Sequence, residues 1–409
     1  MSAKEPPAKN FPLLSLPDLA QKTVMDIMKV LEKYKLSTLS KRSRKMIKMS
    51  CPLGSYQLEI LASSIFICFN LSDPRENDQF DEMLILELRE DDDTFPPFQE
   101  GAIVRPHQNY QETVPAEIRL LFEVFNKPVT RIFLIEHTPL IEDITRLMGV
   151  LEHKLTLVCA GTGRQNDQAF MQVMQQCNPV TKRLEMYYDI NQGSTFDLTN
   201  IAPFTYDQLL ISNSQWLSFP QIISHFMDCK HLHLRWFREE SNGLPAFLER
   251  WMEGCAMEHV NFSIRWPIQL RMILEEMRVE HTVVDVSDYK IPNREIFKPR
   301  EQPPAPPITT FIIRRRCNGQ ETLISQNGFQ FFLSTNCRLL TEEEKLNPVE
   351  DFTDWDLSQN PFNGVMERGE NFRIVGGGGG GGRVVVDQNS DSDDWGGRVD
   401  TDDSDSSGW

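Results

Sequence analysis

The sequence predicts a mixed fold, α+β at its N-terminal end and α/β beyond, and three features carry that expectation. Apolar residues follow helical spacing in short pieces over residues 11–49, strand-like runs recur every 23 to 29 residues from Ile132 to Val283, and the pattern stops at about Thr341. The expected order is a disordered N-terminus (1–10), a three-helix module (11–50), a β-rich connector (51–130), a repeat-like domain ending in a β-hairpin (131–340) and a disordered acidic Gly/Asp/Ser tail (341–409). With 409 residues, of which 40% are hydrophobic and 25% charged, such a chain can bury its cores without disulfides or metals.

In the first module Leu13, Leu14 and Leu16, then Val24, Ile27, Met28 and Leu31, then Leu36 and Leu39, then Met46 and Ile47 repeat at helical intervals, and Pro17 suits the first turn of a helix. Three short helices bury little surface alone, so the module is expected to need a partner. Residues 56–61, 65–70 and 83–88 are rich in β-branched or aromatic side chains and read as strands, whereas residues 91–108, with Pro96, Pro97 and Pro106, read as a long loop. The runs RIFLIEH, KLTLVCA, RLEMYYD, QLLIS, HLHLRW, HVNFSI and TVVDVS then follow at steps of 23, 29, 25, 23, 28 and 23 residues. Helical spacing fills most of the gaps, at 140–151, 168–176, 219–227, 244–251 and 270–277. One strand and one helix in about 20 to 29 residues is the pattern of a leucine-rich-repeat-like α/β solenoid, whose units bury themselves against their neighbours. The alternative is an ordinary α/β domain with parallel crossovers. Beyond Pro303, Pro304, Pro306 and Pro307, FIIRRRCNGQETLI reads as a C-terminal β-hairpin with Asn318-Gly319 as a two-residue turn, and residues 329–333 as a third strand.

Charge is distributed unevenly. Residues 341–409 hold 17 Asp and Glu against 5 Lys and Arg, −12 of the net −17, whereas residues 11–50 hold 9 Lys and Arg against 3 acidic residues. No recognition-helix, zinc-finger or aromatic RNA-binding motif accompanies the basic stretch, so it reads as a solvated face or one offered to an acidic partner, and a nucleic-acid partner is not expected. The longest apolar run, at 65–69, is five residues; a membrane helix needs about 20. With no signal-peptide core at the N-terminus, the expectation is a soluble protein of the cytoplasm or nucleus with no membrane partner. Eight scattered cysteines without a C-x-x-C pair read as reduced core thiols. Gly161-Thr-Gly163 reads as a turn, and neither an H-E-x-x-H, a G-x-S-x-G nor a kinase signature occurs, so no catalytic residue, metal or cofactor is expected. His231 and His233 share one face of a presumed strand without a third ligand nearby.

The stretch FPLLSLPDLAQKTVMDIMKVLEKYKLSTLSKRSRKMIK at 11–48 resembles an F-box, the three-helix module by which substrate receptors dock the Skp adaptor of cullin-RING ubiquitin ligases. The residues that carry the likeness are Leu16-Pro17, Val24, Met28, and Leu36-Ser37 with Ser40-Lys41-Arg42 ahead of Met46-Ile47. The FPLL start is similar to the nematode F-box family that carries a type 2 F-box-associated domain. That second likeness extends over the strand pair after Tyr56, WLSFPQIISHFMDCKHLHL, LPAFLERWMEG, RRRCNGQETLI and FQFF. The chain departs from the family at Lys29-Val30, where Asp-Pro is common, at Lys33, where an apolar residue is usual, and at Ser334, where a tryptophan often ends the last strand. The resemblance implies a non-enzymatic substrate receptor of an SCF-type ligase, with Leu16, Pro17, Val24, Met28 and Leu36 docking the Skp-family adaptor of the cullin core and the second domain holding a protein substrate. The alternative is a scaffold without ligase function, recruiting partners through the repeat domain or the tail.

Side chains alternate along a strand between core and open face. With Leu184, Met186 and Tyr188 inward, Glu185 and Tyr187 face outward, as do His233 and Arg235 opposite Leu232, Leu234 and Trp236, and Asn261, Ser263 and Arg265 in the next unit. Glu185, Tyr187, His233, Arg235, Asn261 and Arg265 are therefore the candidate substrate-binding residues. In the tail, Trp355, Trp395 and Trp409 are flanked by Asp, Gly and Ser and resemble the tryptophan-glycine hooks that engage Argonaute proteins, low-complexity drift being the alternative.

Overall fold

The computed structural model describes residues 13–62, 66–73, 83–87, 103–106, 110–134, 140–161, 167–188, 190–191, 193–237, 239–263, 269–290, 309–327 and 330–342. The expected disordered N-terminus (1–10) and, apart from Thr341 and Glu342, the expected disordered tail (341–409) with its tryptophans lie outside them, as do the proline-rich break and Arg265.

Three helices open the chain: α1 (Asp18–Ile27), α2 (Val30–Leu39) and α3 (Lys41–Ser50). Their boundaries are chemical. Pro17 precedes α1, the Lys29 N–H donates to Glu32 Oε2 at 2.9 Å to open α2, and the Ser43 N–H donates to Ser40 Oγ at 3.1 Å to open α3. Met25, Val30, Tyr34 and Ile47 are buried, and the partner this small module needs comes from the same chain. Helix α2 packs on β2 (Phe66–Ser72), and α2 and α3 pack on α4 (Tyr110–Val124).

The connector supplies β1 (Gln57–Ala62), then β2, β3 (Met83–Glu87) and β4 (Ile103–Pro106), the last inside the stretch that reads as loop. Two neighbouring β-branched residues next to a proline gave β4 too short a pattern to register, and its parallel pairing with β3 is a tertiary event. Helix α4 is likewise absent from the sequence reading, although Val114, Ile118, Leu121, Phe122 and Phe125 form one buried face; Pro115, normally a helix breaker, interrupts the signal.

All seven repeat runs are strands: β5 (Val129–Leu134), β6 (Leu155–Ala160), β7 (Thr181–Met186), β8 (Gln208–Ile211), β9 (His231–Leu234), β10 (His259–Ser263) and β11 (His281–Val284). Helices α5 (Leu140–Val150), α6 (Asp167–Cys177), α7 (Phe219–His225), α8 (Leu244–Glu253) and α9 (Leu270–Glu276) fill every gap but that between β7 and β8. There an irregular segment carries Tyr188, Phe196, Leu198, Phe204 and Tyr206 into the helix layer. A reciprocal cap starts α7, the Gln221 N–H donating to Ser218 Oγ and the Ser218 N–H to Gln221 Oε1.

Strands β5 to β10 lie side by side, all parallel, in chain order within a 14-stranded, mostly parallel sheet ordered β11-β13-β14-β15-β10-β9-β8-β7-β6-β5-β1-β2-β3-β4. Each crossover steps in the same direction, so crossovers of one hand stack the helices on one face, α4 on α5, α5 on α6 and α7 on α8. On that face Val158, Leu184, Leu209, Leu232 and Val260 form one fully buried row in register.

The repeat ends after six strands. Instead of β11, β15 (Gln330–Ser334) pairs antiparallel with β10, followed by β14 (Glu321–Asn327) and β13 (Thr309–Arg314), with β11 at the far edge. Phe331 of β15 stacks on Phe262 of β10 at 4.6 Å between ring centroids, an apolar match that β11, with no buried residue, does not offer. The hairpin turn also differs from expectation. Gly319 has φ 70° but Asn318 is not left-handed, and Arg315 pairs with Gln320 across a four-residue loop. Tertiary anchoring wins over the local Asn-Gly preference: the Arg315 guanidinium lies 4.2 Å from the Trp251 ring and donates to the Cys255 and Met257 carbonyls, while the Arg316 N–H donates to Met252 O. A two-stranded ladder of β12 (Tyr289–Lys290) and β16 (Arg338–Leu339) lies beside a second small core of Leu323 and Phe332, on the sheet face opposite the helices.

Candidate functional site

Two surfaces collect the residues that the sequence singles out. On the N-terminal module Pro17 is exposed, but Leu16, Val24, Met28 and Leu36 are half-buried, the last three packed against the main core. The side chains that the module does present to solvent are Leu19 and Ile27 of α1, Leu39 at the end of α2, and Met49 and Leu53 around the end of α3, each 70% exposed or more. Of these, sequence reasoning picked out Leu39 as a surplus apolar anchor and Ile27 only as a member of the helical pattern, and missed the rest. Spacing tells that a helix has an apolar face; which of two apolar stripes turns inward is set by the body it docks on. That docking is polar as well as apolar. Tyr34 Oη donates to Glu117 Oε2 on α4 at 2.8 Å, and Lys33 Nζ donates to Tyr56 Oη at 3.2 Å, all four residues being buried. Lys33 thus spends its charge inside the joint between module and sheet. The basic residues Lys41, Arg42 and Lys45 of α3 are exposed, and Arg44 pairs with Glu123 of α4 at 3.5 Å.

The second surface is the sheet face away from the helices. Alternation puts Glu185, His233 and Asn261 there as expected: Cys159, Glu185, Leu210, His233 and Asn261 run in register across β6 to β10. They are not solvated, however, for Glu185, His233 and Asn261 are buried beneath neighbouring side chains. Glu185 accepts from Arg183 Nε at 2.8 Å, from Tyr187 Oη at 2.8 Å and from Cys159 Sγ at 3.4 Å. Burial first, and the Glu185 carboxylate second, push the Tyr187 phenol and the Cys159 thiol up, so both hold their protons, the reverse of what a nucleophile requires. Gly161 makes room for this cluster: a Cβ there would stand 2.8 Å from Tyr187 Cβ.

Next to it, His231, His233 and His259 cluster, with ring centroids 4.9 Å apart for His233 and His259 and 5.8 Å for His231 and His259, and Phe332 stands edge-on to His259 at 4.8 Å. Burial holds all three rings below the usual imidazole range, His259 down to about 3. Among the described residues no group of three or more His, Cys, Asp or Glu is placed to hold a metal ion, and no helix is long and apolar enough to cross a membrane. Five of the eight cysteines are buried and none is paired; Cys317, in the hairpin loop, is exposed rather than a core thiol.

The face reaches solvent at the carboxyl ends of the strands, where open α/β sheets commonly bind ligands. Backbone bonds from the Tyr187, Ser212 and Arg235 N–H groups to the preceding strands extend the ladder one residue past β7, β8 and β9. Tyr187 and Arg235 are half-buried there, and Trp236 stands 65% exposed. Alternation alone assigned Trp236 to the core. No family model, curated protein or solved structure matches this chain.

Proposed function

We propose that the chain is a non-enzymatic substrate-recognition subunit of an SCF-type cullin-RING ubiquitin ligase. Its N-terminal module acts as an F-box that docks a Skp-family adaptor, and its sheet domain, a leucine-rich-repeat-like solenoid, holds a protein substrate. The observation that carries this reading is the set of large apolar side chains left in solvent on a module of about three short helices: Leu19, Ile27, Leu39, Met49 and Leu53 beside Pro17. Apolar anchors of this kind gain most when a partner's groove desolvates them. The buried Tyr34–Glu117 and Lys33–Tyr56 contacts give the reading its mechanism. A receptor acts by holding its target at a fixed distance from the transfer machinery, and a rigid joint between docking module and sheet raises effective concentration where a floppy one dilutes it.

The test is direct binding of the full chain to purified Skp adaptor. Micromolar or tighter association is expected, with a Leu19→Asp, Ile27→Asp variant losing it and a Leu16→Ala, Pro17→Ala variant weakening it by about 1 kcal/mol or more. No association of the wild-type chain at micromolar concentration would leave the scaffold reading in its place.

A further inference from the structure

Among the described residues, five other than glycine adopt a left-handed backbone. Asn126, Lys127, Glu152 and Arg278 follow the ends of α4, α5 and α9, where that conformation closes a helix as a matter of course. Trp236 is different: it follows a strand, has φ 57°, and is among the bulkiest side chains that could be placed there. A strained, solvent-held tryptophan persists only where its surroundings over-determine it, and here they do. On one side the Arg235 carbonyl accepts from both Ser214 N–H, at 3.0 Å, and Ser214 Oγ, at 2.7 Å, while the Arg235 N–H donates to Ile211 O at 2.9 Å. On the other side Phe237 is sunk in the core, edge-on to Phe219 at 5.1 Å and 5.3 Å from Phe262. The chain is nailed at 235 and at 237, and the residue between is thrust outward.

Its neighbour supplies the second observation. Arg183, Arg131, Arg314 and Arg271 each pair with a carboxylate. Arg235 does not: among the described residues no acidic group, Glu239 and Glu240 included, lies within ion-pair distance of its half-buried guanidinium. Tyr187 and His233 lie within its electrostatic reach, and the Glu185 carboxylate beside Tyr187 is taken up by Arg183.

We infer that Trp236 and Arg235 form the anchor pair for an acidic peptide segment of a partner protein, Arg235 taking an Asp or Glu carboxylate and Trp236 covering a large apolar side chain next to it. The inference deepens the function proposed above and rests on its reading of the sheet domain as the partner-holding half. The chemistry selects a peptide because a guanidinium fork matches a carboxylate, and because an aromatic contributes to binding only when a partner's apolar surface takes it out of water. The close approach at Gly161 and the bond to Glu185 hold Tyr187 in place at the same end of the sheet, so that end is rigid before the ligand arrives.

The experiment selects a phage-displayed random peptide library on the full-length chain and measures the enriched peptides, fluorescently labelled, by anisotropy. Enriched sequences should share an Asp or Glu beside a large apolar residue. Trp236→Gly should weaken them by about tenfold or more while leaving the thermal midpoint unchanged or raised, since glycine accepts the left-handed backbone without strain. Arg235→Gln should bind an Asp peptide and its Asn counterpart equally, where the wild type prefers Asp. No enrichment, enrichment without the acidic-apolar pair, undiminished binding by Trp236→Gly, or a lowered midpoint for that variant would each overturn the inference. Adaptor binding is measured on the same preparations: peptides lost with adaptor kept refutes this site alone, and adaptor lost with peptides kept refutes the ligase reading alone.

Discussion

His259 sits between its two neighbouring histidines with Nε2 buried and without a hydrogen-bond partner, and its imidazole titrates at about 3 where an unfolded chain titrates near the ordinary 6.5. Above pH 6.5 both states are neutral there and the residue contributes no slope. Between 6.5 and about 3 the unfolded chain takes a proton that the folded one refuses, so stability falls with pH by up to about 1.4 kcal/mol per unit. His233, held below 6.5 by the same burial and by its histidine neighbours, adds in the same direction. Chemical denaturation between pH 7 and 5 should therefore show a marked acid loss, shallower in His259→Leu; identical slopes would mean that the ring is solvated in the native state. Gly161 makes a second test at this scale. Its missing Cβ stands where Tyr187 Cβ and, at 3.2 Å, the Tyr187 carbonyl would meet it, so Gly161→Ala should cost about 1 to 3 kcal/mol. It should also disturb the Tyr187–Glu185 bond, visible as a shift of the tyrosine ring resonances.

At the scale of elements, the seven repeat strands and five intervening helices were legible because the relevant periods are local: alternation at two and helical recurrence near 3.6 survive in any context. Order in the sheet was not. Placing β15 beside β10 and sending β11 to the edge depends on Phe331 meeting Phe262, a contact between residues about seventy positions apart that no window along the chain contains. The candidate face divides the same way. Glu185, His233 and Asn261 were placed on the correct side by alternation, yet their burial was not: Arg183 and Tyr187, two residues to either side on the same strand, close over Glu185, and His259 reaches across from β10 to His233. The hairpin shows an anchor overruling a turn preference, and it can be measured. Arg315 is buried, stacks on Trp251 and donates to two carbonyls, so Arg315→Ala should destabilise the chain by about 2 to 4 kcal/mol. Arg315→Lys should rescue little of this, because a single ammonium cannot reproduce the planar fork. Full rescue by lysine would show that charge rather than geometry holds the loop.

For the whole molecule, the decisive feature is that the N-terminal three-helix module is no appendage. Its core residues Met25, Val30, Tyr34 and Ile47 belong to the same buried cluster as β1, α4 and the repeat strands, and two buried polar contacts cross the joint. A tethered module would open and close on its own, with exchange protection set by its few internal contacts; an integrated one opens only together with what it packs on. Amides of α2 and α3 should therefore exchange with the same opening free energy as those of α4 and β1. Tyr34→Phe, which removes the donor to a buried carboxylate, should lower both sets by about 2 kcal/mol. A partner bound to the exposed apolar residues of the module at a hundredfold excess over its Kd would add about 2.7 kcal/mol, and the gain should appear in α4 and β1, which that partner need not touch, as well as in α1 to α3. Protection that rises in α1 to α3 alone, or α2 and α3 amides that exchange well ahead of α4 in the free chain, would show that the joint transmits nothing and that module and sheet are held together only by the chain between them.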